Sequence, residues 1–192
     1  KARQNLESDF DNYTKFILVD SDWREIARME KEQVEVLNIS TPGASDRLRK
    51  ENRGDFFKKF VHPDYDVIKL GPNGSARDRV TGKIKFYDNA EGGSTNDVKF
   101  RNIIQTIFNT DWSDKTNLRV DVMILAGLSG GNGSGTFEEL AVHAREACRR
   151  AGATEVRVFG YLFLPDTVEA FERENLEALK SIYINGYSAL KE

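Results

Sequence analysis

An apolar, branched run, LRVDVMILAG (Leu118–Gly127), passes directly into LSGGNGSG and then into the helical pattern TFEELAVHAREACRRAG. This junction restricts the fold more than any other part of the chain. Between Ala126 and Phe137 five residues are glycine, and each glycine inside regular structure costs about 0.5–1 kcal/mol relative to alanine. Such a run serves a geometric or a chemical purpose. After the helix, which Gly152 closes, comes a second strand pattern, EVRVFGYLFLP, and then the mostly helical TVEAFERENLEALKSIYINGYSALKE. Strands alternating with helices imply crossover units and a parallel sheet covered by helices.

The first half is read the same way. KFILVD is a short branched run ending in an acid, as buried parallel strands often do. DWREIARMEKE fits a short helix, and VEVLNIS alternates as a strand before Thr41-Pro42-Gly43 stops it. The expected strands are thus Phe16–Asp20, Val34–Ile39, Val120–Ala126 and Val156–Phe163, with the glycine-following helix beginning near Thr136. Residues 41–93 are highly charged and looser in pattern. They suit an elaboration on the main fold, containing a hairpin in which DVIKL and KIKFYD flank GPNGSARDRVTG. Ser94 or Thr95 would then cap a helix with apolar positions Val98, Phe100, Ile103, Ile104 and Ile107.

At 192 residues and 39% hydrophobic, the chain can bury one good core. A net charge of −3 provides no electrostatic basis for binding nucleic acid or an anionic membrane. The single cysteine, Cys148, cannot form an internal disulfide and reads as a reduced intracellular thiol. No apolar run approaches the roughly 18 residues of a membrane span, and no signal peptide opens the chain. A cytoplasmic location is expected. No Cys/His cluster indicates a metal site, and His62 and His143 suit surface or packing positions.

The glycine run lies between the end of a strand and the first turn of a helix, where open α/β sheets bind ligands. A helix N-terminus presents unpaired amides and about half a positive charge, and glycines let a phosphate approach them closely. Ser129, Asn132, Ser134 and Thr136 would add hydrogen-bond donors. A Walker loop is excluded, because no lysine occurs from Asp121 to Arg150. A dinucleotide fingerprint fits poorly, since the run follows the third visible strand and the best acid-terminated strand precedes it.

The residues SGGNGSG, Ser129–Gly135, resemble the tubulin signature Gly-Gly-Gly-Thr-Gly-Ser-Gly, shared in related form by FtsZ. FILVDSD is similar to the second strand and following loop of that superfamily, VFGYLFLPDT to the fifth strand and its ribose-contacting loop, and NGYSALKE to the helix whose asparagine contacts guanine. The nearest resemblance is to the bacterial tubulin-like proteins, which carry Asn-Ala-Tyr-Ala-Ala-Leu-Lys-Glu near this place. It is clearest over Asp121–Glu192 and faint over residues 41–93.

This resemblance implies a Rossmann-like three-layer α/β fold, a mostly parallel sheet with helices on both faces. It also implies GTP/GDP as ligand, Mg2+ accompanying the nucleotide, and head-to-tail self-association. Gly127, Ser129, Gly130, Gly131, Asn132, Gly133, Ser134 and Gly135 would surround the phosphates, with Asp20 and Asp22 nearby. Asp166 and Glu169 would reach ribose, and Asn185 guanine. No catalytic residue is indicated. A first phosphate loop before Phe16 and the acidic loop that acts on the catalytic water both have no counterpart here, so residues 1–192 are expected to be part of a longer nucleotide-binding domain, without turnover of their own. Two alternatives stand beside a GTP-dependent polymer: a non-polymerising nucleotide-binding interaction module, and an unrelated α/β enzyme using the loop for a phosphorylated substrate. Structural explanations also remain open. Asp20 and Asp22 suit strand-end and helix-cap positions, and Asp166 and Glu169 suit any helix N-terminus.

Overall fold

The computed structural model describes residues 14–29, 34–40, 74–75, 78–90, 101–106 and 117–191. Its elements, in chain order, are β1 (Ile17–Asp20), α1 (Trp23–Met29), β2 (Glu35–Asn38), α2 (Arg79–Ala90), β3 (Arg119–Gly127), α3 (Gly131–Arg150), β4 (Glu155–Phe163), α4 (Asp166–Glu172) and α5 (Leu176–Lys191). Residues 101–106 are also helical, with Ile103 and Ile104 buried. Each strand end lies within one residue of its expected position.

The strands pair in parallel as two ribbons. β1 runs beside β2 from Ile17 opposite Glu35 to Asp20 opposite Asn38. β3 runs beside β4 from Arg119 opposite Glu155 to Gly127 opposite Phe163, and the Leu128 N–H extends the ladder to the Phe163 carbonyl at 2.9 Å. Parallel neighbours need a crossover, and α3 supplies it between β3 and β4. Ala144, Ala147 and Cys148 of α3 pack with Leu37, Ile104 and Leu118, and Ile17, Val19, Val120, Val122 and Val156 close around them. Both ribbons thus share one core beneath α3. Gly152 ends that helix at φ 107°, a left-handed conformation that suits glycine after a C-cap.

The opposite face of the β3–β4 ribbon is exposed among the described residues. Met123 and Leu125 stand beside Phe159 and Tyr161 there, Leu125 at 68% exposure. At the far end of the same face Arg157 forks onto both carboxylate oxygens of Asp121, each at 2.7 Å.

Two expectations are overturned. Residues 83–88, read as the second strand of a hairpin, lie inside α2; the proposed partner strand at 66–70 lies outside the described residues. Asp78 starts this helix, its carboxylate accepting from the Val80 N–H at 3.0 Å and the Thr81 hydroxyl at 3.1 Å. Val80, Ile84 and Tyr87 then recur at helical spacing, and Ile84, Phe86 and Tyr87 are buried. KIKF alternates as a strand would, but in the helix Lys83 and Lys85 are buried along with Ile84 and Phe86. The second correction concerns α3, which starts at Gly131 and not near Thr136. The glycine run is the first turn of the helix itself.

That turn is glycine-rich partly because α2 crosses it at backbone distance. A Cβ on Gly131 would stand 2.5 Å from the Asp78 carbonyl oxygen. One on Gly135 would strike the Arg79 carbonyl, and one on Gly82 of α2 would strike the Gly131 carbonyl in return. Arg79 and Lys83 reach Glu138 and Glu139 across the same crossing, at 3.8 and 3.7 Å.

Candidate functional site

The start of α3 is unusual in what it leaves undone. Its N-cap is Gly130, which has φ −90° and ψ 158° and provides no side-chain cap, and no acid lies in the first turn. The polar groups closest to this turn have other partners. The Ser134 hydroxyl donates to the Gly130 carbonyl, and the Thr136 hydroxyl to the Asn132 carbonyl at 2.8 Å, both turned back along the helix. The Ser129 carbonyl accepts from the Asn185 side chain at 3.1 Å. Among the described residues, nothing accepts a hydrogen bond from the amides of Gly131, Asn132 or Gly133. These are three of the orphan donors that every helix start carries, and here no acid of the helix's own first turn faces them.

The glycines divide into two groups. Gly131, Gly133 and Gly135 are demanded by packing, since a Cβ on Gly133 would strike the Gly127 carbonyl. Gly127 and Gly130 have nothing within 4 Å of a Cβ. Among the described residues no group demands glycine at those two positions, which lie just before the uncapped turn.

Asn132 joins the turn to the end of β1. Its Nδ2 donates to Asp20 Oδ1 at 2.7 Å, and its Oδ1 accepts from the Ser21 hydroxyl at 2.8 Å and from the Ser75 hydroxyl. Asp20 Oδ1 also accepts from the Ser21 and Asp22 N–H groups, at 2.6 and 2.8 Å. Asp22 is turned the other way. It caps α1 through the Arg24 N–H at 3.0 Å and pairs with the Arg24 guanidinium, which holds its carboxyl below the usual range. Beneath Asp20, the Lys85 ammonium donates to the Gly74 carbonyl. Burial pushes its pKa down, and the charges of Asp20 and Asp22 pull it back up.

The other expected residues form two further groups. Asn185 is buried on α5, its Oδ1 accepting from the Arg79 N–H at 3.4 Å while its Nδ2 reaches Ser129. It ties α5 to the glycine turn and to the start of α2. The adjacent Gly186 lets α5 pass Pro165, whose Cγ would stand 2.5 Å from a Cβ there. Asp166 and Glu169 both face the Tyr183 hydroxyl, at 2.9 and 2.7 Å. The hydrogen bonds to Glu169 and Asp166 raise the phenol above its ordinary pKa.

The structure therefore unites Asp20 with Asn132, Ser129 with Asn185, and Asp166 with Glu169, while Asp22 stands apart with Arg24. Sequence reasoning missed Ser21, Ser75, Lys85 and Tyr183. Ser21 lay in plain view within the DSD motif; the other three carry no local signal of their role. Among the described residues, no group of three His, Cys, Asp or Glu side chains is arranged to hold a metal ion, and no helix is long and apolar enough to cross a membrane.

A family model described as tubulin-like matches residues 3–192. No curated protein and no solved structure matches the chain. With nearly its whole length covered by that model, and with parallel strands, crossover helix and glycine turn in the expected order, the chain belongs to the tubulin-like family.

Proposed function

We propose that the first turn of α3 binds the phosphates of a guanine nucleotide, GTP or GDP, and that the full Rossmann-like three-layer sheet of the superfamily surrounds it. The observation that carries this reading is the uncapped N-terminus at Gly130, with three amides that no described group satisfies. An anion placed there gains several charge-assisted hydrogen bonds and the helix dipole together. The open space over Gly127 and Gly130 leaves room for it.

Asp20 stands at the edge of the turn, and its Oδ1 already accepts three hydrogen bonds. Mg2+ arriving with the nucleotide would take most of its ligands from phosphate oxygens and water, as this ion ordinarily does. Asp166 and Glu169, which share the Tyr183 hydroxyl, are assigned to a ribose hydroxyl. Asn185 is assigned to the guanine edge, a contact for which it would exchange one of its present partners. Head-to-tail assembly would complete a water-orienting site between copies. The rival reading, a non-polymerising nucleotide-binding module, uses the same turn.

Calorimetric titration with GTP, GDP, GMP and ATP tests the assignment. GTP and GDP should bind well over tenfold more tightly than GMP, since the second phosphate gains the amides and the dipole. Equal affinities for GTP and GMP would remove the phosphate assignment, and equal affinities for GTP and ATP the guanine one. Light scattering with and without GTP separates the polymer from the module.

A further inference from the structure

We infer that Asn132 is the positioning residue of the phosphate turn, its carboxamide locking the turn to the end of β1 while only its backbone N–H is left for phosphate; this rests on the nucleotide reading above. Glycine turns are entropically loose, whereas an anion site gains from donors that are already in place before the ligand arrives. A device that stiffens this turn is therefore required, and the Asn132 carboxamide meets the requirement. It links segments 111 and 57 residues apart in sequence, joining Ser21 after β1 and Ser75 before α2 to the second residue of α3.

Chemistry sets the orientation of this carboxamide. Its NH2 faces the Asp20 carboxylate at 2.7 Å, and its carbonyl oxygen faces two hydroxyls, Ser21 at 2.8 Å and Ser75. Reversed, the amide would set its carbonyl oxygen against the Asp20 carboxylate, two acceptors with no proton between them. Ser21 is fully buried, and Ser75 nearly so. The two hydroxyls lie 3.1 Å apart, and Asn132 Oδ1 is their shared acceptor. Asn132 is the second residue inside α3, past the N-cap. Its side chain is turned toward β1, which anchors the turn and leaves the amides uncovered.

The test reads the GTP-to-GMP affinity ratio by calorimetry, alongside the urea midpoint, in the wild type and in Asn132→Ala, Asn132→Asp and the double variant Asn132→Asp/Asp20→Asn. A role limited to stability would lower the midpoint and leave the ratio unchanged. The positioning role predicts about a tenfold fall in the ratio for Asn132→Ala. The fall should be larger for Asn132→Asp, where two carboxylates oppose each other, and the double variant, with that repulsion removed, should recover most of it. If Asn132→Ala fails to fold, Ser75→Ala, which removes one of the two hydroxyl donors, should still lower the ratio by about threefold. An unchanged ratio in folded single variants, or a double variant no better than Asn132→Asp, overturns the inference while leaving the nucleotide site standing. A wild-type ratio near one overturns both.

Discussion

The helices α2 and α3 cross at backbone contact, yet they begin in opposite ways. α2 starts at Asp78, whose carboxylate satisfies the Val80 amide and the Thr81 hydroxyl within its own first turn. α3 starts at Gly130, which has no side chain to offer its first-turn amides, and the Ser134 and Thr136 hydroxyls are bonded to carbonyls along the helix. One of two touching helices is thus capped by a side chain and the other by none. The difference is what the proposed phosphate site rests on. It also shows that glycine has two roles in one turn: Gly131, Gly133 and Gly135 are there for the approach of backbone, whereas Gly127 and Gly130 keep space open.

The largest expected effect breaks the packing side of this comparison. Gly131→Val would drive a branched side chain into the Asp78 carbonyl, 2.5 Å from the Cβ position, and should cost about 3 kcal/mol or more in urea denaturation. Gly130→Ala, which meets no atom within 4 Å, should leave the midpoint almost unchanged. Equal costs at the two positions would contradict the division of the glycines.

Next in size is the cap of α2. Asp78→Ala should lower stability by about 1 kcal/mol in the same experiment. An unchanged midpoint would mean that the Asp78 contacts carry no net stability.

The alkaline behaviour of the core beneath α3 should be gentler. Burial pushes the Cys148 thiol from 9.0 up to about 11. Because the fold prefers the neutral thiol, its contribution is intact below pH 9 and is lost progressively as pH rises from about 9 to 11. Urea midpoints at pH 8 and pH 10.5 should therefore converge between wild type and Cys148→Ala, and a thiol reagent should modify Cys148 only on unfolding. Rapid modification of the native protein would contradict the burial.

The four strands were legible because short apolar runs ending in polar or glycine residues have few other ways to fold beneath a helix. The start of α3 was not legible, since glycine propensity argues against helix and only the crossing of α2 makes those glycines necessary. KIKFYD misled for a related reason. Its alternation matched a strand, and nothing local shows that Lys83 and Lys85 are buried or that Gly82 lies against Gly131. Part of the site was readable from the turn itself, including Gly130, Asn132 and the nearby Asp20. Ser75 was not, because its role depends on a partner 57 residues away.

The most direct measurement is GTP affinity and folding stability in Gly130→Asp. Gly130 already has the extended backbone of an N-cap and free space for a side chain. An aspartate there should accept hydrogen bonds from the first-turn amides, as Asp78 does in α2, and should keep or raise the urea midpoint by a few tenths of a kcal/mol. The same carboxylate would occupy the donors and repel phosphate, so GTP affinity should fall by about 100-fold or more. Loss of binding in a protein at least as stable as the wild type is the predicted result. Undiminished GTP affinity in that variant would contradict the assignment of the α3 N-terminus as the phosphate site.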